Sequence, residues 1–242
     1  MMETLQTSWG TVGYERGGDS LPALVLLHGT GCDSADWNGV LDHLPEEIAR
    51  VAINFLGHGG SSVPDEDFQF SDLAADINLA MELLAIDRPV TLGHSLGGIV
   101  AIELASRRSL EGIVFLEGWT RLSVARNAFV KRQRFGKLTE EQTSLIDQKR
   151  ERTQARFFGD QLPGFWHTVT EFDGLPILGS IDVPVWEVDG CGQAKDDTKE
   201  HFLIPDRPNI RVEWIDGCGH FLYLERPDAV AGIIARASAT CR

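Results

Sequence analysis

The sequence predicts an α/β protein: a mostly parallel, doubly wound sheet with helices on both faces. Three observations carry this. Short apolar runs, often β-branched, alternate with helix-like stretches along most of the 242 residues. The runs read as continuously apolar, as strands buried on both faces do. Finally, glycines crowd a single serine in TLGHSLGGIV, residues 91–100, where an apolar run passes straight into a helical one.

Taken in order, TSWGTVGYERGG at 7–18 reads as a short hairpin leading into the sheet. The strand candidates are Ala23–Leu27, Arg50–Phe55, Val90–Leu92, Gly112–Leu116, Val183–Val188 and Ile210–Ile215. Helical candidates lie between them at Ser34–Leu44, Ser71–Leu84, Leu96–Arg107, Lys195–Phe202 and Pro227–Ala237. The alternation fails from Trp119 to Phe172, a helical, strand-free stretch set between two strands. This divides the chain into a core domain, 1–118 and 173–242, and a small helical insertion, 119–172.

Composition narrows the function classes. With 43% hydrophobic residues the chain can bury a substantial single core. A formal charge of −14 argues against a nucleic-acid surface. No apolar run approaches the ~20 residues of a membrane span, and MMETLQTSWG lacks the basic and apolar regions of a signal peptide. Cys32, Cys191, Cys218 and Cys241 are scattered without CxxC spacing, which fits reduced thiols and a cytoplasmic location. No His/Cys/Asp/Glu set stands at metal-ligand spacing, so neither metal nor cofactor is expected. The expected partner is a small-molecule substrate rather than nucleic acid or membrane, and no feature sets an oligomeric state.

In such sheets the active residues gather at the carboxyl ends of the strands. HGTGCDSADW follows the first buried strand, GHGGSS the second, the serine the third and Glu117 the fourth; GCGHFLYLERPDAV follows the last. A strand that turns into a helix within a few residues has no room for side chains at the corner. Gly93 and Gly97 meet that steric demand, Gly98 permits close packing behind, and Ser95 stands at the apex. This is the content of the G-x-S-x-G nucleophile elbow. On its own the pattern is also that of an ordinary glycine-rich turn. A serine nucleophile needs a base to take its proton, and His220 stands in a loop just before the final helix. The tetrahedral intermediate needs backbone donors, which the amides of Thr30 and Leu96 can supply.

HGTG, GHGGS, GHSLGG and GCGHFLYLERPDAV, in this order, closely resemble the α/β-hydrolase superfamily. The resemblance spans nearly the whole chain apart from 119–172, where that family inserts its variable cap. It implies the α/β-hydrolase fold, Ser95 as nucleophile, His220 as general base and a structural role for His28 beside the oxyanion loop. His58 and His94 are read as packing or hydrogen-bonding residues. Asn54 departs from the family, where an aspartate often opens the motif ending in GHGGS.

The acid also departs. The family pattern G-x-x-D after the next-to-last strand finds Gln193 three residues after Gly190, and glutamine is no anionic partner for histidine. The alternatives are Asp189, Asp196 or Asp197 nearby, and Glu117 in FLEGW beside Trp119, at a strand end some branches use for their acid. Glu117 is preferred, because a carboxylate at the edge of a buried strand is otherwise costly, with Asp189 second.

Residues 119–172 hold 10 of the 22 Lys and Arg but 6 of the 36 Asp and Glu, a net +4 against −18 for the remainder. The stretch also carries Phe135, Phe157, Phe158, Phe165, Trp166 and Phe172. A solvated basic face explains this; so does a pocket roof favouring an apolar substrate with a carboxylate. Trp119 is a candidate substrate contact. The leading function is a serine hydrolase that cleaves a small carboxylic ester or related acyl compound through an acyl-enzyme; the alternatives are a C–C bond hydrolase or lyase of the same fold and a non-catalytic binding protein on a hydrolase scaffold.

Overall fold

The computed structural model describes residues 1–122, 136–191 and 203–240, apart from the side chains of Leu21, Pro22 and Cys191. Eight strands form one sheet: β1 (Glu3–Thr7), β2 (Gly10–Gly17), β3 (Ser20–Leu27), β4 (Ile48–Ile53), β5 (Val90–His94), β6 (Gly112–Leu116), β7 (Val185–Cys191) and β8 (Ile210–Asp216). Their order across the sheet is β1-β2-β4-β3-β5-β6-β7-β8. Only the β1–β2 and β2–β4 pairs run antiparallel, so the hairpin adds two strands to a six-stranded parallel core.

The central strands are buried on both faces, which is why they lack apolar–polar alternation. Leu24, Val25, Leu26 and Leu27 are each fully buried. Their side chains divide by parity. Val25 and Leu27 pack with Leu73 and Ile77 of α2 (Phe70–Leu83) and with Ile99 and Ile102 of α3 (Leu96–Arg107). Leu24 and Leu26 pack on the other face with Trp37, Val40 and, from the last helix, Ile233 and Ile234. Each such side chain contributes ~1.5–3 kcal/mol when buried, so the two layers clamp the strand ends in place.

The stretch 34–44 is a 3₁₀ turn at Ser34–Trp37 followed by the single helical turn α1 (Asn38–Leu41), not one continuous helix. A reciprocal cap starts the 3₁₀ turn: the Asp33 side chain accepts from the Ala35 backbone, and Asp36 accepts from the Asp33 amide. Between β6 and β7 lie α4 (Glu140–Gln154), α5 (Gln161–Glu171) and α6 (Leu175–Ser180). Thr139 and Gln142 cap α4 reciprocally. The chain closes with α7 (Leu222–Glu225) and α8 (Pro227–Thr240). The helix expected at 195–202 lies outside the described residues, as does Phe135. Among the described residues, no helix is long and apolar enough to cross a membrane.

Candidate active site

One residue, Ser95, separates β5 from α3, and its backbone turns through φ 53° and ψ −115°. Such a conformation is strained for a residue with a Cβ and persists only where the surroundings over-determine it. Here they do. A Cβ on Gly93 would strike the Gly97 carbonyl, and one on Gly97 would strike the Leu27 carbonyl. The helix therefore starts with its backbone pressed against two strands. The Ser95 amide donates to the Leu116 carbonyl at 3.0 Å, locking the turn to β6.

His220 stands in the loop between β8 and α7 with its ring buried, 4% exposed. Its Nδ1 lies 3.4 Å from Oε2 of Glu117, 103 residues away in sequence and 2% exposed. The second carboxylate oxygen, Oε1, accepts from the Gly190 amide at 2.6 Å. Strand parity explains how Glu117 arrives there. Ile113 and Phe115 face the α3 side of the sheet, whereas Val114 and Leu116 face the layer that contains Phe221 and Tyr223. A continued strand would send Glu117 toward α3. Its φ of 52° breaks the strand and turns the carboxylate over to the His220 side. With Nδ1–H donated to a carboxylate, Nε2 is left as the basic nitrogen of the ring.

Asp189 is fully buried within β7, opposite Trp214 of β8. Its neighbours in alternation, Trp186 and Val188, face the layer of Phe221 and Tyr223, and Gly190 approaches the Cys218 and Gly219 carbonyls. The Asp189 side chain, offset by one residue, belongs to the other face. Gln193, Asp196 and Asp197 lie outside the described residues.

Three further histidines take holding roles. Burial lowers the pKa of His28 to about 4 and of His58 to about 3, and holds His94 well below its ordinary value. Each is therefore neutral at neutral pH. His28 donates from Nδ1 to the Gly29 carbonyl at 2.7 Å and accepts at Nε2 from the Phe55 amide at 3.0 Å, so neither ring nitrogen is left to serve as a base. His58 donates to the Leu56 carbonyl at 2.9 Å. His94 donates from Nε2 to the backbone carbonyl of His220 at 2.8 Å, tying the elbow to the histidine loop. Sequence alone makes His94 a local packing or hydrogen-bonding residue; its partner is 126 residues distant, and no local signal reveals it.

Thr30 and Leu96 line one narrow cavity of about 10 Å³ together with His58, Phe157, Phe165 and Trp166. Leu96 opens α3, where the first amides have no partner within the helix. Trp119 is 5% exposed in the α3-side core, and its indole N–H has no partner among the described residues. The 119–172 segment docks onto the loops after β3 and β4. Lys149 reaches Asp33 and Asp36, each at 2.8 Å, Arg156 donates to the Gly59 and Ser61 carbonyls, and Phe157 lies on Gly57.

Solved structures share this architecture. The N-acyl homoserine lactonase AidH, complexed with N-butanoyl homoserine, is 16% identical and superposes with a TM-score of 0.79, covering 100% of this chain and 97% of that one. A thermophilic esterase from Thermogutta terrifontis is 19% identical with a TM-score of 0.72, covering 100% and 99%. At these identities the likeness is one of fold. By sequence, an uncharacterized protein of Mycobacterium tuberculosis is 38% identical over 96 residues, 38% of this chain and 28% of that protein. A haloalkane dehalogenase of Mesorhizobium japonicum is 28% identical over 109 residues, 44% of this chain and 35% of that protein. The matched stretch thus spans about a third of these relatives' length. The sequence pattern of the alpha/beta hydrolase family, by contrast, matches residues 24–233. That span opens in β3 and ends in α8, taking in the carboxyl ends of all six parallel strands, and it shows that this chain belongs to the alpha/beta hydrolase family.

Proposed function

We propose that this chain is a metal-free serine hydrolase that cleaves a small carboxylic ester or related acyl compound through an acyl-enzyme. The observation that carries the reading is the buried His220–Glu117 pair, 3.4 Å apart and built from loops at two different strand ends, whose His220 carbonyl is bonded at 2.8 Å by His94, the residue before an elbow serine held at φ 53°. Burying two titratable groups is costly unless they pair, and a histidine oriented by a carboxylate is what serine activation needs.

In this reading Ser95 Oγ attacks the acyl carbonyl while His220 Nε2 takes the hydroxyl proton. Glu117 holds the ring in that tautomer and offsets the imidazolium charge. The amides of Thr30 and Leu96 receive the oxyanion. Collapse breaks the carbon–oxygen bond, and His220 passes its proton to the departing alcohol. Water then attacks the acyl-enzyme by the same relay and regenerates Ser95. The apolar side chains lining the cavity beside Thr30 and Leu96 favour an apolar acyl group, for which this space of about 10 Å³, room for one water, has to widen. The helices of 119–172 act as a cap over it, with Phe157 and Trp166 as its roof.

A fluorophosphonate should label Ser95 alone, and short 4-nitrophenyl esters should turn over. Ser95→Ala should abolish labelling and lower turnover by ~10⁶-fold. Stoichiometric labelling that survives Ser95→Ala removes the proposal.

A further inference from the structure

Among the described residues of 119–172, three cations are taken up in docking bonds. Arg121 pairs with Asp173, Lys149 with Asp33 and Asp36, and Arg156 with the Gly59 and Ser61 carbonyls. Each of these ties the segment to its neighbours. Arg150 differs. Its ion pair is with Asp147, at 4.0 Å, and the Asp147 side chain is 62% exposed. A pair this long in water holds a guanidinium only weakly.

Its position is specific. A Cβ on Gly31 would collide with the Arg150 side-chain stem, so that stem lies against the residue following Thr30. The guanidinium carbon sits 5.4 Å from the centroid of the Phe221 ring, the residue following His220. One residue, ~3.8 Å of backbone, separates each contact from a group assigned above to the oxyanion or to the proton relay. Arg150 does not line the apolar cavity beside Thr30 and Leu96. Its head lies instead on the side of the histidine, which hands its proton to the leaving alcohol. Burial dominates the pKa of His94, Cys32 and Tyr223, and in all three the Arg150 charge adds a lowering contribution, consistent with that placement.

We infer that Arg150 is a substrate-binding residue that pairs with a carboxylate on the alcohol side of the substrate, so that the preferred ester joins an apolar acyl group to an acid-bearing alcohol or phenol. This rests on the esterase reading above and deepens it. A guanidinium presents a planar fork matched to a carboxylate, and such charge-assisted bonds are the stronger ones.

The test compares 4-acetoxybenzoate with its neutral isostere 4-acetoxybenzamide, on wild type, Arg150→Gln and Arg150→Lys. Thermal melting and fluorophosphonate labelling run alongside, to establish that each variant is folded with a reactive serine. Wild type should favour the carboxylate. Arg150→Gln should lower kcat/KM for 4-acetoxybenzoate ten- to hundredfold more than for the benzamide, and Arg150→Lys should restore part of the difference. An equal loss on both substrates overturns the inference and leaves Arg150 as packing for Gly31. A labelled wild type with no preference for the carboxylate overturns it as well. A wild type that neither labels nor turns over either ester refutes the esterase reading itself.

Discussion

Gly190→Ala should lower turnover about a hundredfold while leaving the protein folded, and the size of that loss comes from three contacts. The Gly190 amide donates to Glu117 Oε1 at 2.6 Å. A Cβ at Gly190 would stand 2.6 Å from the Gly219 carbonyl oxygen and 2.7 Å from that of Cys218. Ordinary contact starts at 3.4 Å, so the two segments must separate by 3.4 − 2.6 = 0.8 Å. The loop cannot easily yield on its other side, because the Gly219 amide is held by both Glu225 carboxylate oxygens at 2.9 and 3.1 Å. The displacement therefore passes to His220, the next residue, whose contact with Glu117 is already 3.4 Å. Misplacing a catalytic group by ~1 Å costs ~10²-fold, about 2.7 kcal/mol in barrier. Overpacking of this kind destabilises the fold by ~1–3 kcal/mol, which lowers Tm without unfolding the protein at 25 °C. The assay is kcat and KM on a short 4-nitrophenyl ester beside a melting curve. The loss should fall on kcat, with KM within about threefold of wild type, because no substrate contact is removed. A folded Gly190→Ala with wild-type kcat refutes the argument, for it would mean that the His220–Glu117 geometry does not set the rate.

Glu117→Gln should keep the fold and a serine that fluorophosphonate still labels, yet lower kcat by roughly 10⁴-fold, whereas Asp189→Asn, on the other face of β7, should stay within about tenfold. The reverse ranking, read by kcat on the same ester, moves the acid to Asp189. Asp76 of α2 is 2% exposed, and burial raises its pKa despite offsetting contacts with the Thr7 side chain and the Trp9 backbone. A raised carboxyl pKa means the folded state binds the proton more tightly, so this stability is full at low pH and is lost as pH rises through the folded value. Asp76→Asn should therefore raise Tm by a few degrees at pH 7, with the gain shrinking below pH ~4; an equal gain at both pH values would locate the effect elsewhere.

Sequence by itself placed the six parallel strands in order and the motifs that follow them, with ends that differ by two or three residues in β4, β5 and β7. The reason is local: a buried parallel strand needs a continuous apolar run, and a strand–helix corner as tight as 93–98 needs glycines where backbones touch. Both demands act within a few residues, so they are written within a few residues. The choice between Glu117 and Asp189 was of another kind. Glu117 stands just past the end of β6 and Asp189 inside β7, and only the φ of 52° at Glu117, set against the uninterrupted alternation of β7, decides which carboxylate faces the histidine loop. Tertiary structure likewise made His94 a clamp on the His220 carbonyl. It also set apart, within a basic segment, the cations that dock it from the arginine lying over Phe221. These are pairings across distant stretches of chain. Each depends on which groups the fold brings within reach, and composition and periodicity carry no information about that.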